Sequence, residues 1–121
     1  MVTSVTLDYT LEPFLDARWL KSGAFAAITD LCIPWRADGL SAFGTVIVDD
    51  RIQEAESGKP MLPYGQIAGD LTELVAGTTP AHDKTRPAAF AFRGIALGDY
   101  AAAVLAVHRA EADGAGKRVS P

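Results

Sequence analysis

The chain has 121 residues, 49% of them hydrophobic and 21% charged, enough for one compact domain with a sizeable core and too little for two complete enzyme domains. Eleven Lys and Arg stand against 15 Asp and Glu, and the net charge of -4 argues against nucleic acid held by phosphate neutralisation. A single cysteine, Cys32, excludes an internal disulfide framework and a zinc site built on paired thiolates, and it fits a reducing, cytoplasmic setting. No apolar run approaches the roughly 20 residues of a membrane span, and the start Met1-Val2-Thr3-Ser4 lacks the basic and apolar regions of a signal peptide.

In chain order, Val2 to Thr6 alternates apolar and hydroxyl side chains, the β-branched density of a strand. A strand at residue 2 reads as the downstream part of a longer fold. Phe14 to Leu20 is helix-like, with Phe14, Leu15, Trp19 and Leu20 on one face before Gly23. Ala24 to Thr29 is a near-continuous apolar run, the pattern of a strand buried on both faces, and it ends at Asp30. Leu31 to Leu40, holding Pro34 and Gly39, is a loop running into a turn. Thr45 to Val48 is a third strand, stopped by Asp49-Asp50-Arg51.

Ile52 to Ser57 predicts a polar helical turn, and Pro63 to Ala76, with Ile67, Leu71, Leu74 and Val75 at helical spacing, predicts a helix ended by Gly77. Thr78 to Pro87 is the most loop-like stretch. Ala88 to Phe92 reads as a last strand, and Ile95 to Ala112 as the longest helix, about 27 Å at the standard rise. Gly98 lowers its helix propensity unless something packs close there. Gly114 and Gly116 end it, with Lys117-Arg118 placing positive charge past its negative end. Apolar strands separated by helical segments point to a parallel α/β sheet, whose ligands sit beyond the carboxyl ends of the strands.

That rule singles out Thr6 and the residues after it, Asp30, and Asp49-Asp50. Asp30 follows an apolar strand, so its carboxylate would be desolvated and its proton affinity raised, the usual route to an acid or base near neutral pH; the alternative is a cap on the following turn. Asp49-Asp50 is read as a cap on the next helix before a ribose or divalent-ion site. His82 and His108 have no partners at ligand spacing, so no metal site is expected. Cys32 lacks a neighbouring base and reads as a structural thiol. Phe92-Arg93-Gly94 allows a ligand close to the backbone amides or simply punctuates strand and helix. Neither a Gly-x-Gly-x-x-Gly nor a Gly-x-x-x-x-Gly-Lys loop occurs, so a free-standing nucleotide domain is not expected.

The segments EPFLDARWLKSGAFAAITD, VIVDDRIQEAESG, IAGDLTELVAGTT and FAFRGIALGDYAAAVLAVHRA, in this order, resemble the downstream part of the ornithine cyclodeaminase and mu-crystallin family. The diagnostic pieces are Pro13, Leu15, Trp19-Leu20-Lys21, Gly23-Ala24, Val48 to Arg51, and Gly94-x-Ala96-Leu97-x-Asp99. The resemblance implies an α/β fold: the second half of a Rossmann-type NAD(P)-binding domain with parallel strands and a long C-terminal helix over residues 1–112, then a tail over 113–121. It implies NAD or NADP as cofactor and an amino acid or cyclic imine as substrate. In cyclodeaminase members, hydride leaves the substrate α-carbon, ammonia is lost as the ring closes, and the hydride returns.

The family's acid/base aspartate falls on Asp30, its dinucleotide-lining strand end on Thr3, Ser4 and Val5, and its segment beside the nicotinamide on Phe92, Arg93 and Gly94. The ornithine-specific Pro-Gly-Lys after the acid is here Leu31-Cys32-Ile33, and the Gly-Arg before the last strand is Ala81-His82, which implies a different amine or imine. Two readings follow. One is the C-terminal portion of such an enzyme, inactive alone; the other is a non-catalytic remnant or self-associating module. Both leave apolar surface open, so a homo-oligomer or an upstream partner chain is expected, with neither nucleic acid nor membrane.

Overall fold

A computed structural model describes residues 1–117 and 119. Among these the chain forms one five-stranded, all-parallel sheet of β1 (Val2–Thr3), β2 (Phe25–Ile28), β3 (Thr45–Val48), β4 (Gly69–Asp70) and β5 (Ala88–Ala91), in the order β1-β2-β5-β3-β4. It is an α/β fold of Rossmann type, and its helices are α1 (Arg51–Glu56), α2 (Leu71–Ala76) and α3 (Ala96–Ala112). The last strand inserts between β2 and β3, pairing Ile28 with Ala91 on one side and Val48 with Ala91 on the other. The carboxyl ends of β1, β2, β5 and β3 therefore lie along one edge of the sheet.

One face of the sheet carries the core. Ala26, Ile28, Val46, Val48, Ala89 and Ala91 are buried there, and the alanines leave room for large side chains from the connections: Trp35, Leu40, Phe43, Met61 and Leu62. The Trp35 and Phe43 rings lie tilted at 5.4 Å. The other face is only partly covered, with Ile47 and Ala88 buried there but β2 left partly exposed, which corrects the expectation of a strand buried on both faces. Phe25 is 54% exposed. Phe25, Ile47 and Phe90 instead border an open-sided apolar cavity of about 580 Å³, roofed in part by Leu71 and Leu74 of α2. An apolar run reports that a strand is central in a sheet, not that both covering layers belong to the same polypeptide.

Three further expectations change. Extended pairing covers Val2–Thr3, not Val2 to Thr6. Phe14 to Leu20 holds only a 3-10 turn, Ala17–Trp19, started by the Asp16 side chain accepting the Arg18 N–H at 2.9 Å, with Leu15 bridged to Trp35 instead. The helix over Pro63 to Ala76 is broken into a 3-10 turn, Tyr64–Gln66, strand β4 and α2. Gly69 pairs with Ile47, and Asp70 and Glu73 form a reciprocal capping box that starts α2 at Leu71. Gly77, with φ of 70°, closes α2 in the left-handed conformation.

Helix α3 has the expected length, but no residue of it is buried, and Leu97, Tyr100, Leu105 and Val107 stand exposed. Open space surrounds the Cβ position of Gly98, so no close packing among the described residues accounts for that glycine. The charge assigned to Arg118 lies outside the described residues. Among those described, no helix is long and apolar enough to cross a membrane.

Candidate functional site

The chemistry gathers at the carboxyl edge of the sheet. Asp30 follows β2 and is wholly buried, yet neither carboxylate oxygen has a hydrogen-bond partner among the described residues. It does not cap the following turn with its side chain. That turn is closed by the backbone, the Ile33 N–H donating to the Asp30 carbonyl at 3.0 Å. Leu31 and Cys32 then take φ of 56° and 58°, a left-handed conformation that non-glycine residues occupy at a cost of about 1–2 kcal/mol each. Cys32 is buried beneath this turn. Burial, with the negative charges of Asp30 and Glu54 adding to it and Arg93 opposing, pushes its thiol up to about 12, so it is no nucleophile at neutral pH.

Thr3, at the end of β1, faces inward: its hydroxyl accepts the Trp35 indole N–H at 3.3 Å. Its carbonyl accepts both the Thr29 N–H, at 3.1 Å, and the Thr29 hydroxyl, at 2.9 Å. Ser4 is exposed and Val5 half-buried. At the end of β5, Phe92 is half-buried with its ring 6.1 Å from Phe90. The next two residues are pinned by their backbone. Asp49 Oδ2 accepts the Arg93 N–H at 3.1 Å and the Gly94 N–H at 2.6 Å, and the Gln53 side-chain amide donates to the Gly94 carbonyl at 3.2 Å. Gly94 has φ of 111°, and its Cβ position faces open space.

The Arg93 side chain turns inward, away from the surface of the strap that Phe92 to Gly94 form after β5. Its Nε and Nη2 donate to Glu54 Oε2 at 2.8 and 2.6 Å, and Nη2 also donates to the Lys59 carbonyl at 2.9 Å. Glu54 is 1% exposed, and its other oxygen accepts the N–H groups of Met61 and Leu62. The sequence reading missed Glu54 entirely. A glutamate in a short polar helix looks solvated until the 57–62 segment folds back over it. Asp49 and Asp50 divide the role expected of the pair: Asp50 caps α1 by accepting the N–H groups of Ile52 and Gln53, whereas Asp49 clamps the strap after β5.

His82 is exposed and borders the apolar cavity, and His108 is exposed on α3. Among the described residues no three His, Cys, Asp or Glu converge as ligands for a metal ion. That cavity opens at the amino-terminal ends of β2, β3 and β5. The unpartnered carboxylate lies at the opposite edge, so volume and chemistry do not coincide in this chain.

No family model matches the chain. It is 34% identical over 106 residues to the mouse (Mus musculus) ketimine reductase mu-crystallin, a match that covers 84% of this chain and 33% of that protein. Its fold is similar to that of the Thermococcus litoralis Delta(1)-pyrroline-2-carboxylate reductase, solved in complex with NADH and L-proline. The TM-score is 0.73 at 22% identity, covering 88% of this chain and 37% of the other. The chain thus spans about a third of the length of the relatives it matches. The sequence match to a mu-crystallin and the shared parallel fold agree with the resemblance to the ornithine cyclodeaminase and mu-crystallin family, over about a third of a member's length.

Proposed function

We propose that the chain forms the strand-end part of an NAD(P)-dependent enzyme that acts on an amino acid or cyclic imine by hydride transfer, with Asp30 as its acid/base. The observation that carries this reading is the Asp30 carboxylate, wholly buried and unpartnered among the described residues at the carboxyl edge of a parallel sheet. A buried charge without a partner is costly, and proteins keep such groups where a ligand completes them. In the proposed reaction Asp30 takes up and returns the proton at the substrate nitrogen. The relatives named for ketimine and pyrroline-2-carboxylate reduction support a carbon–nitrogen substrate.

The residues present fit one end of a dinucleotide. Open space at the Gly94 Cβ position lets a flat ring approach the strap backbone, and Ser4 is free at the end of β1. Thr3, Ser4 and Val5 would line its ribose side, and Phe92, Arg93 and Gly94 its nicotinamide side, the Arg93 contribution coming from the backbone. The dinucleotide, NAD or NADP, supplies or accepts the hydride when bound. A glycine-rich phosphate turn is not among the 121 residues, so other polypeptide would hold the pyrophosphate. The lone, inert thiol supports a cytoplasmic setting.

The test uses the protein tagged at its own locus and purified from its host with its natural associates. Delta(1)-pyrroline-2-carboxylate with NADH or NADPH should give imine-dependent oxidation of the dinucleotide. Asp30→Asn should lower turnover at least ~100-fold with dinucleotide affinity unchanged. Absence of both dinucleotide binding and turnover in that material refutes the reading.

One observation favours a second reading, a self-associating module without chemistry: the partly covered sheet face and the exposed apolar residues of α3. Concentration-dependent dimers in light scattering, with no thermal shift on adding dinucleotide, would select it.

A further inference from the structure

Continuing the β2–β5 register two residues past the pair Ile28 and Ala91 brings Asp30 opposite Arg93, on the face that both Ile28 and Ala91 bury. One further backbone bond follows that pair, the Phe92 N–H donating to the Ile28 carbonyl at 2.8 Å. An arginine at that position is the natural partner for a buried aspartate. Its guanidinium instead goes to Glu54, at 2.6 and 2.8 Å, and to the Lys59 carbonyl. Glu54 is itself fixed by the N–H groups of Met61 and Leu62. Asp30 and Glu54 are both buried, and the Arg93 side chain is only 16% exposed.

We propose that Glu54 is a positioning residue: by taking the Arg93 guanidinium it keeps that cation off Asp30, leaving the carboxylate for a cationic nitrogen brought by the substrate. The inference rests on the reading of Asp30 as the acid/base. It adds a role for a residue that touches neither substrate nor cofactor. The arrangement explains why a carboxylate one strand away from an arginine has no partner. Glu54 and Arg93 neutralise each other with charge-assisted bonds, and the carboxylate without a partner is left at the strand end.

The decisive measurement is a crystal structure of the Glu54→Gln chain, with the Arg93 side-chain Nε–H resonance followed in solution. The guanidinium is expected within hydrogen-bond distance of Asp30. In the assembled enzyme, kcat with Delta(1)-pyrroline-2-carboxylate should fall at least 10-fold with the dinucleotide KM unchanged, and Glu54→Gln with Arg93→Gln should recover most of it. If Glu54→Gln does not fold, Glu54→Asp keeps the charge but shortens its reach, and the guanidinium should then divide between the two carboxylates. A guanidinium that stays on the Lys59 carbonyl or turns to solvent in either variant overturns the proposal and leaves the Asp30 reading untouched. A guanidinium on Asp30 with turnover unchanged supports the positioning role and overturns Asp30 as the acid/base.

Discussion

Asp49 offers the sharpest test of how the strap after β5 is held. Its Oδ2 accepts two backbone N–H groups, from Arg93 at 3.1 Å and Gly94 at 2.6 Å, and the residue is 3% exposed. Asp49→Ala removes two bonds to a charged acceptor and leaves two part-buried donors without it. With roughly 1–3 kcal/mol for each stranded donor, and some relief from water entering the space, the expected loss is about 2–4 kcal/mol. At a urea slope of about 2 kcal/mol per molar, the midpoint should drop by about 1–2 M. Asp49→Asn keeps one acceptor oxygen and should lose less than half as much. Amide hydrogen exchange localises the effect: the Gly94 and Arg93 amides should lose protection while those of β2 keep theirs relative to global stability. An unchanged midpoint in Asp49→Ala, or unchanged Gly94 exchange, refutes the clamp.

Asp30→Asn replaces a buried carboxyl that has no partner by a neutral group of the same shape, so the variant should be at least as stable as the parent by thermal melting; a large loss would reveal a structural role for the carboxylate. The raised Cys32 thiol has a definite pH sign. The folded state keeps the proton to about 12 while the unfolded chain loses it near 9.0, so this contribution is intact below pH 9 and is lost as pH rises through that window. Cys32→Ala should flatten the alkaline limb of a stability–pH curve, and native Cys32 should alkylate slowly at neutral pH. The Arg18 guanidinium beside Asp16 holds that carboxyl at about 2, so its contribution is present above 3.8 and disappears as pH falls toward 2. Arg18→Met should remove that acid-limb slope. Ile28→Ala, at a fully buried site packed in the sheet core, should cost about 2–5 kcal/mol by denaturant titration.

Much of the scaffold was legible because its signals are local. Thr45 to Val48 and Ala88 to Phe92 read as strands from their β-branched and apolar runs, and the structure differs by a residue at most. The helix from Ile95 to Ala112 was read to within one residue, since alanine-rich sequence with glycine beyond it leaves little choice. Gly69-Asp70 was hidden inside helical spacing, because two-residue pairing to Ile47 and Val48 leaves no periodic trace. Val2 to Thr6 was overextended for a related reason: strand propensity continues past the point where a partner strand does.

The parallel α/β class, the placing of Asp30 and Asp49 at strand ends, and the resemblance to a family all depend on residue order and short-range pattern, and were readable without coordinates. The tertiary structure alone decided what each charged group does there: Asp49 clamps a strap some 45 residues away, Glu54 withdraws Arg93, and Asp30 stays unpartnered. Electrostatic pairing depends on distances across the sheet and on the segment that folds over Glu54. Those distances are set by packing between strands remote in sequence, and no local motif encodes them.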